Sequence, residues 1–407
     1  MVLLGAVCMN AYWYYVVFTV VSFLSIIIRY VGFDLISEDM LLAFLPWFQI
    51  MKEGGGLSSL SSQVGDYGLL FQTIIAMLTY IDEKPVYLYK ILSITFDFLI
   101  AFSISFFIIS YKKEYAVTKF DVNKLFCLTY TSVILLPSVV LNSAFWGQND
   151  SIYTFFLLWS IWLLYKCSYK FSFFMLGMAL SFKFQSVLLF PLFVFYYFSR
   201  KAFSLLNILI MACTFWLSGI IVYFYRGYYL DGFGIYTNQV VMFKRLWINI
   251  PSFWALTSAD YKTFYLVAII LTFLLLSVVF YMVLSSRLRM DSFEQILGLA
   301  VLIEWICILF LPAMHERYTY VMDLMLVMLV FINKQYIIHA LIAVIVSYLT
   351  YYNYLFLDKG INPVLVLVYL ITWIHFSYTL VCSENKSQDN YFKKIINHEV
   401  QSKAAKK

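Results

Sequence analysis

Residues 37–67 read SEDMLLAFLPWFQIMKEGGGLSSLSSQVGDY and lie between two long apolar segments of the chain. This stretch is far longer than the roughly 4 to 6 residues that usually connect elements in a compact domain. Acidic residues stand near both of its ends, Glu38 and Asp39 at the start and Asp66 at the end, with an apolar segment interrupted by proline between them. We therefore predict a structured loop that holds a carboxylate at a membrane surface.

The rest of the chain is strongly apolar. Of its 407 residues, 63% are hydrophobic and 12% are charged, and the mean hydropathy is +0.84. Soluble domains carry about 25% charged residues. Apolar runs of roughly 17 to 25 residues recur along the chain, and each can cross a hydrocarbon core of about 30 Å as a helix. The composition therefore predicts an all-α polytopic membrane protein.

We expect about twelve transmembrane helices, within a range of roughly 10 to 13. Two neighbouring segments, 172–183 and 185–198, are short and could instead form one re-entrant hairpin. Residues 1–383 then form a single membrane domain with large outer loops at 32–85 and 225–261, and 384–407 form a basic cytoplasmic tail. The predicted spans are 11–31, 86–110, 125–142, 151–166, 172–183, 185–198, 203–223, 262–285, 295–313, 318–333, 336–357 and 363–382.

The net charge of +6 reflects topology rather than nucleic-acid binding. Basic residues flank the predicted spans on one side, which places that side and both termini in the cytoplasm. The six cysteines include no C-x-x-C pair, so neither a disulfide framework nor a zinc site is indicated. The basic residues that set this topology are Lys112, Lys113, Lys119, Lys124, Lys166, Lys170, Arg200, Lys201, Arg287, Arg289 and Lys334.

The first loop offers a candidate catalytic carboxylate. Asp39 precedes an apolar segment that is too short to span a membrane and suits a surface helix anchored by Trp47. Asp39 could be the N-cap of that helix or a reactive group, and Glu38 is the nearest alternative for the reactive role. Asp66 and Tyr67 precede a second surface helix, where Asp66 could cap the helix or contact a ligand.

A second cluster, FWGQNDS at residues 145–151, forms a tight turn between two predicted spans. Asn149 or Asp150 could cap the following helix. Trp146 and Gln148 favour a binding role together with Asp150, because an aromatic plane beside an amide and a carboxylate is a common way to hold a sugar ring.

Lys183 and Gln185 form a third candidate, within an apolar context. A charged side chain in a span costs a few kcal/mol, so Lys183 should be paired or face a cavity. An anionic lipid phosphate is one partner for it, and a structural ion pair with Asp97 is the alternative. Glu304 and Asp323 are weaker intramembrane candidates on the same argument.

The turn PAMHERY at 312–318 brings His315, Glu316 and Arg317 together between two predicted spans. Arginine suits bidentate phosphate binding, while a plain positive anchor with a neutral histidine is the alternative interpretation. A further outer loop carries Arg245, where basic and aromatic side chains could hold a glycan or lipid headgroup or could simply form an interfacial belt. The other members of that loop are Lys244, Trp247, Asn249 and Trp254.

Several motifs, taken together and in their order along most of the chain, resemble those of a known family. They are an acidic first loop with Pro-Trp-Phe and Gly-Asp-Tyr, then Phe-Trp-Gly-Gln-x-Asp-Ser, Phe-Lys-x-Gln and Met-His-Glu-Arg-Tyr. The chain is similar to the bacterial relatives of the GPI-anchor second mannosyltransferase, within the GT-C superfamily. The resemblance implies a multi-span glycosyltransferase that uses polyprenyl-phosphate sugars as donors. It also implies a catalytic acidic residue in the first outer loop, here Asp39.

We therefore expect one hexose to move from a polyprenyl-phosphate sugar to a glycan or glycolipid acceptor at the outer face of a bacterial plasma membrane. Asp39 would act as base with inversion, and a divalent metal between Asp39 and Asp150 stays open. The rival classes are a lipid-linked glycan transporter or flippase and a polysaccharide polymerase or ligase. The expected donor-phosphate residues are Lys183, Gln185, His315, Arg317 and Arg245, and the expected sugar or acceptor residues are Asp66, Tyr67, Trp146, Gln148, Asp150 and Glu316.

Overall fold

The structure, a computed structural model, describes residues 2–115, 120–229, 232, 234–237, 243–357 and 360–382. The predicted basic tail at 384–407 lies outside these residues. The described chain is helical almost throughout. Its sheet is one two-residue parallel pairing between β1 (Trp247–Ile248) and β2 (Met314–His315).

The helices are numbered in chain order. They are α1 (Val2–Val31), α2 (Leu45–Glu53), α3 (Leu69–Leu78), α4 (Pro85–Tyr115), α5 (Val122–Ile134), α6 (Pro137–Val140), α7 (Asp150–Tyr165), α8 (Tyr169–Phe182), α9 (Phe190–Arg200), α10 (Asn207–Ser218), α11 (Ile220–Arg226), α12 (Tyr261–Leu284), α13 (Phe293–Phe310), α14 (Thr319–Ile332), α15 (Ile337–Tyr352) and α16 (Pro363–Cys382).

Six helical segments in the described part of the chain are long and apolar enough to cross a membrane. The number rises to eight if each of two bent pairs, α5 with α6 and α10 with α11, forms one span. A predominantly helical fold with six to eight segments suited to spanning a membrane is thus confirmed, whereas twelve spans are not. The difference lies in α7, α8, α9 and α14, which coincide with predicted spans but have 16, 14, 11 and 14 residues.

Local sequence explains the helix boundaries that matter for the site. Pro137 stands at the break between α5 and α6, where the chain bends by 52°. Proline lacks an N–H donor and clashes with the preceding turn, so a continuous helix cannot pass through it. After α6 the chain forms a π-helical turn, Leu141–Trp146, that ends at Gly147 with a positive φ of 79°. This bend and turn deliver residues 146–150 to the start of α7.

The first loop is structured, and it contains the two helices expected from the sequence. A π-helical turn, Met40–Phe44, runs directly into α2, and glycines 54–56 end that helix. Buried Phe44 and exposed Leu42 give this segment one face on the protein and one apolar face outside it. Arg226 at the end of α11 holds the loop in place by donating to the carbonyl oxygens of Leu60 (2.9 Å) and Ser62 (3.0 Å).

Charged side chains gather at two opposite ends of the bundle. At one end Lys112 donates to the carbonyl of Ile332 (2.8 Å), Lys166 pairs with Glu114, and Arg200 pairs with Asp291. Helix α7 leads away from this end to Asp150, and α8 leads from it to Lys183. Three of the basic residues that the sequence assigns to one side, Lys112, Lys166 and Arg200, therefore share an end, and the candidate site lies at the other.

Candidate active site at one end of the bundle

Asp39 is held by three N–H donors that all reach the same carboxylate oxygen. Oδ2 accepts from Trp146 Nε1 (2.9 Å), Gln148 Nε2 (2.5 Å) and Arg317 Nη1 (3.0 Å). Hydrogen bonds from cationic donors are the stronger kind and stabilise the charge on this oxygen. The side chain is 30% exposed. Among the described residues no hydrogen-bond donor reaches Oδ1, the other carboxylate oxygen.

The N-cap interpretation of Asp39 is wrong. Its side chain makes no capping hydrogen bond. Ser37 fills this role instead, because its Oγ accepts from the backbone N–H of Met40 (3.2 Å) and donates to the carbonyl of Trp146 (2.7 Å). Glu38, the alternative to Asp39, is exposed. Ser37 thus frees the Asp39 carboxylate to face Arg317.

A second charged pair joins Lys183 Nζ to Asp150 Oδ1 at 2.5 Å, with side chains only 2% and 0% exposed. Asn142 Nδ2 donates to the other carboxylate oxygen of Asp150 at 2.8 Å. Neither Asn149 nor Asp150 caps α7 through its side chain, so the capping interpretation of these two residues is wrong. Burial lowers the pKa of Lys183 to about 8, although the Asp150 carboxylate opposes this shift.

The alternative ion pair between Lys183 and Asp97 is also wrong. Asp97 pairs with Arg29 at 2.9 Å and accepts from Ser143 (2.5 Å) and Tyr320 (3.3 Å). Lys183 reaches the site because the chain is extended at this residue, with φ −152° and ψ 133°, between α8 and a 3-10 turn at Phe184–Leu189. The predicted break in the 172–198 segment thus falls at Lys183 itself.

Gln148 links the two charged pairs into one cluster. Its Nε2 donates to Asp39, and its Oε1 accepts from Lys183 Nζ (3.4 Å) and from the hydroxyl of Tyr67 (3.2 Å). Gly147 makes this placement feasible, because a Cβ there would collide with the methyl group of Met40. The turn after Trp146 therefore requires glycine for its positive φ and for its close packing.

The turn around Arg317 completes the cluster from the other side of the bundle. His315, Glu316 and Arg317 are all buried, so they do not form a solvated anchor. Burial raises the pKa of Glu316 to about 8, against the effect of Arg317. Burial, together with Arg317 and Lys183, holds the pKa of His315 well below its usual range. Near neutral pH the site therefore presents a carboxylic acid and an uncharged imidazole beside its two cations.

The remaining predicted residues lie around this cluster. Asp66 does not cap α3, which follows Gly68 without a side-chain cap, and burial raises the pKa of Asp66. Gln185 Nε2 donates to the hydroxyl of Tyr318 (2.7 Å), next to Arg317. Arg245 is exposed, and its carbonyl accepts from Ala313 N (3.1 Å), so it stands at the edge of the site. Trp254 lies away from it, with its indole bonded to the carbonyl of Phe310 (2.8 Å).

Several buried polar atoms of the cluster have no hydrogen-bond partner within the described protein. Buried polar groups are paired in more than about 90% of cases, so a concentration of exceptions needs an explanation. A polar ligand that fits among these atoms supplies one. The atoms are Asn142 Oδ1, Asn149 Nδ2 and Oδ1, Gln185 Oε1, His315 Nε2, Glu316 Oε2 and Arg317 Nε.

Sequence reasoning missed residues that position the site. Lys90 is fully buried, and its Nζ donates to the carbonyls of Gly32 (2.7 Å), Phe33 (3.1 Å) and Leu35 (2.6 Å) at the end of α1. A lysine inside a predicted span was the available signal, the same one that singled out Lys183. Asn142 and Tyr354 were also missed, and Tyr354 stacks on the indole of Trp146 at 4.4 Å.

The described residues contain no group of three or more His, Cys, Asp or Glu side chains placed to hold a metal ion. Asp39 and Asp150, the two carboxylates considered for a shared metal, each contact a cationic side chain of the protein instead.

Together, the fold and the cluster define a multi-pass helical membrane protein with a buried charged site at one end of its bundle. No protein-family model matches the chain, and no curated protein matches it at a significant level. The resemblance to glycosyltransferases therefore stays a prediction.

Proposed function

We propose that this protein is a membrane glycosyltransferase that moves one hexose from a polyprenyl-phosphate sugar to a glycan or glycolipid acceptor. The observation that carries the proposal is that one anionic side chain, Asp39, meets two cations: Arg317 contacts it directly, and Lys183 is joined to it through the amide of Gln148. Such a site can hold a phosphate and a proton acceptor on either side of a sugar. The motif resemblance supports the same proposal, because the cluster consists of its residues.

Asp39 acts as the general base. The acceptor hydroxyl gives its proton to Oδ1 of Asp39 while its oxygen forms a bond to the anomeric carbon of the donor. The bond between that carbon and the phosphate oxygen breaks, and its electron pair leaves with the phosphate. A phosphate departs without protonation, so one carboxylate suffices, whereas glycoside hydrolysis uses two. A displacement in one step inverts the anomeric configuration.

Arg317 and Lys183 stabilise the charge that grows on the departing phosphate, because fixed cations in a buried site act more strongly than cations in water. Each is paired with a carboxylate in the free protein. The donor phosphate therefore has to share these cations with Asp39 and Asp150. The unpartnered Nε of Arg317 and Nε2 of His315 are additional contacts for its oxygens.

The depth of the site suits a donor carried by a lipid. Helices α7 and α8, with 16 and 14 residues, reach only about 24 and 21 Å at 1.5 Å per residue. A hydrocarbon core is about 30 Å thick. Asp150 and Lys183, at one end of each helix, thus lie lower than the start of the 31-residue α4. Exposed Leu41 and Leu42, next to Asp39, offer apolar surface for an isoprenoid chain.

The buried acids of the bundle are the feature that favours the rival transporter. Two of them are already engaged between helices: Asp97 pairs with Arg29, and Asp323 accepts from Ser347 at 3.0 Å. Glu304 Oε2 and Asp323 Oδ2 have no partner among the described residues, but two such atoms do not make a path through the bundle. A polymerase or ligase would use the same end of the bundle and differs in the length of the glycan it transfers.

Incubation of the purified full-length protein in lipid nanodiscs with a panel of polyprenyl-phosphate hexoses tests the proposal. We expect one donor to be consumed, with one free polyprenyl phosphate released for each hexose transferred. A ladder of products indicates the polymerase or ligase instead. Movement of intact lipid-linked glycan between leaflets, without release of carrier phosphate, indicates the transporter.

A further inference from the structure

The side chain of Asn149 is buried but makes no hydrogen bond within the described protein. The residue is only 2% exposed, and neither its Nδ2 nor its Oδ1 has a hydrogen-bond partner in the described protein. It precedes α7 at the N-cap position, where asparagine usually caps the helix, yet it makes no capping bond. Burying an amide without partners is unfavourable, so a side chain that contributed only to folding would be better replaced by an apolar one.

We propose that Asn149 binds the hexose of the donor through two neighbouring ring hydroxyls, an inference that rests on the proposed function. An asparagine amide presents an acceptor oxygen and N–H donors side by side. Each sugar hydroxyl can donate and accept. One hydroxyl donates to Oδ1, and the adjacent hydroxyl accepts from Nδ2, so both orphaned atoms are satisfied at once.

The position of Asn149 favours the donor sugar over the acceptor. Its two chain neighbours both contact the same cation, since Gln148 Oε1 and Asp150 Oδ1 accept from Lys183 Nζ at 3.4 and 2.5 Å. In a polyprenyl-phosphate sugar, the hexose is the group joined directly to the phosphate. A side chain beside the phosphate-binding lysine therefore meets that hexose first, while Asp39 lies at the other end of Gln148 and faces the incoming acceptor.

Asn142 provides a matched comparison within the same cluster. Its Oδ1 has no hydrogen-bond partner among the described residues, but its Nδ2 donates to Asp150 (2.8 Å) and to the hydroxyl of Tyr351 (3.4 Å), so its amide nitrogen connects two parts of the bundle. Replacement of Asn142 by leucine removes these bonds and leaves buried partners. Replacement of Asn149 by leucine removes no bond within the protein. The two substitutions should thus separate a structural amide from a ligand-binding one.

The experiment compares wild type, Asn149→Leu and the smaller Asn149→Ala on the accepted polyprenyl-phosphate hexose and on its 2-, 3- and 4-deoxy analogues. We expect the wild type to lose about 10- to 100-fold in kcat/KM with two analogues that lack adjacent hydroxyls, the effect of one hydrogen bond with a buried partner left unmade. The two variants should lose a similar factor in kcat/KM with the intact donor. Their kcat/KM values for the intact donor and for these two analogues should differ by less than about threefold. A variant that keeps the wild-type discrimination overturns the inference.

Two further measurements complete the test. Asn149→Leu should have a Tm equal to or above that of the wild type, whereas Asn142→Leu should have a lower Tm than the wild type. If Asn149→Leu lowers the Tm and Asn142→Leu does not, the ligand role of Asn149 is contradicted. Thermal stabilisation by a non-transferable phosphonate analogue of the donor should be present in the wild type and lost in Asn149→Leu. If the wild type binds the phosphonate analogue but transfers no hexose, the proposed function is refuted and the inference about Asn149 stands. If the Asn149 variants lose discrimination against deoxy acceptors but keep it against deoxy donors, the assignment of Asn149 to the donor hexose is refuted.

Discussion

At the scale of single residues, the two oxygens of Asp39 have different surroundings. Oδ2 accepts from three N–H donors, whereas Oδ1 accepts from none in the part of the chain that the structure describes. The two oxygens of the carboxylate can therefore have different roles: Oδ2 positions the group, and Oδ1 takes part in the proposed reaction. Arg317, Gln148 and Trp146 fix where the group points, and the second oxygen stays available to take a proton.

Asp39→Asn should retain the fold and lower hexose transfer by about 10² to 10⁴, the usual contribution of a general base. The amide has the same shape but cannot accept the proton. Asp34→Asn is the control, because Asp34 is a nearby aspartate with an 82% exposed side chain. Turnover and Tm should be measured for both. Transfer by Asp39→Asn within a few-fold of the wild type would remove Asp39 from the mechanism.

Glu316 should make the protein less stable as pH rises. Its pKa is raised from 4.5 to about 8 by burial, so the folded state keeps a proton that the unfolded state releases between these values. Stability is therefore full below about pH 4.5 and decreases as pH approaches 8. Thermal unfolding across pH 5 to 8 should show a falling Tm that Glu316→Gln flattens. The exposed-residue control Glu53→Gln should keep the wild-type slope, and an equal slope in Glu316→Gln would contradict the assignment.

Sequence reasoning at this scale selected candidate residues more successfully than their pairings. Asp39, Gln148, Lys183 and Arg317 were selected by residue type and context, and the structure brings them together. The partner of Lys183 was wrong because which acid it meets depends on how the helices are rotated, and apolar patterning does not reveal this inside a bundle that is apolar on all sides. Lys90 shows that a single rule, applied to every intramembrane lysine, would have found more of the site.

At the scale of elements, the end of α1 determines where the first loop begins. Lys90 of α4 binds the carbonyl groups of Gly32, Phe33 and Leu35, the residues that directly follow α1. Ser37 then joins the start of the loop to the turn at Trp146. Asp39 is therefore placed by α1, α4 and the 141–146 turn together, before Arg317 contributes.

Lys90→Met should lower kcat by about tenfold or more while the donor KM changes less than about threefold, because misplacement of a catalytic group by 1 Å can cost about 10²-fold. Lys112→Met is the matched control, since Lys112 binds the last carbonyl of α14 at the opposite end of the bundle. Both variants should lower Tm, and only Lys90→Met should lower kcat. If Lys90→Met and Lys112→Met change kcat equally, Lys90 only stabilises the fold and does not position Asp39.

The helices themselves were largely predictable, and their lengths were not. Long apolar runs identified α4, α12 and α13 without ambiguity. The same hydropathy also marked α7 and α8 as spans, although these helices are short because a Gly-containing turn and the extended Lys183 interrupt them. A run of apolar residues predicts a buried segment, and only the polar residues at its ends decide how far the helix continues.

At the scale of the whole molecule, the two ends of the bundle differ in chemistry. One end carries Lys166, Arg200 and their acidic partners, which are partly exposed. The other end buries Asp150 and Lys183 almost completely. Exposed ion pairs contribute little and are screened by salt, whereas buried ones interact strongly and depend on their partners. The first end suits an anchor in water, and the second suits a binding site.

The proposed reaction requires the site end to face outward, and labelling can test this orientation. In a variant without the six native cysteines, Glu83→Cys marks the loop before α4 at the site end, and Arg287→Cys marks the loop before α13 at the basic end; both positions are exposed. An impermeant maleimide applied to intact cells should label Glu83→Cys and should reach Arg287→Cys only after the membrane is opened, because basic loops stay on the cytoplasmic side. The reverse pattern would place Asp39 in the cytoplasm, where an outward-facing donor cannot reach it, and transfer at the outer face would then be excluded.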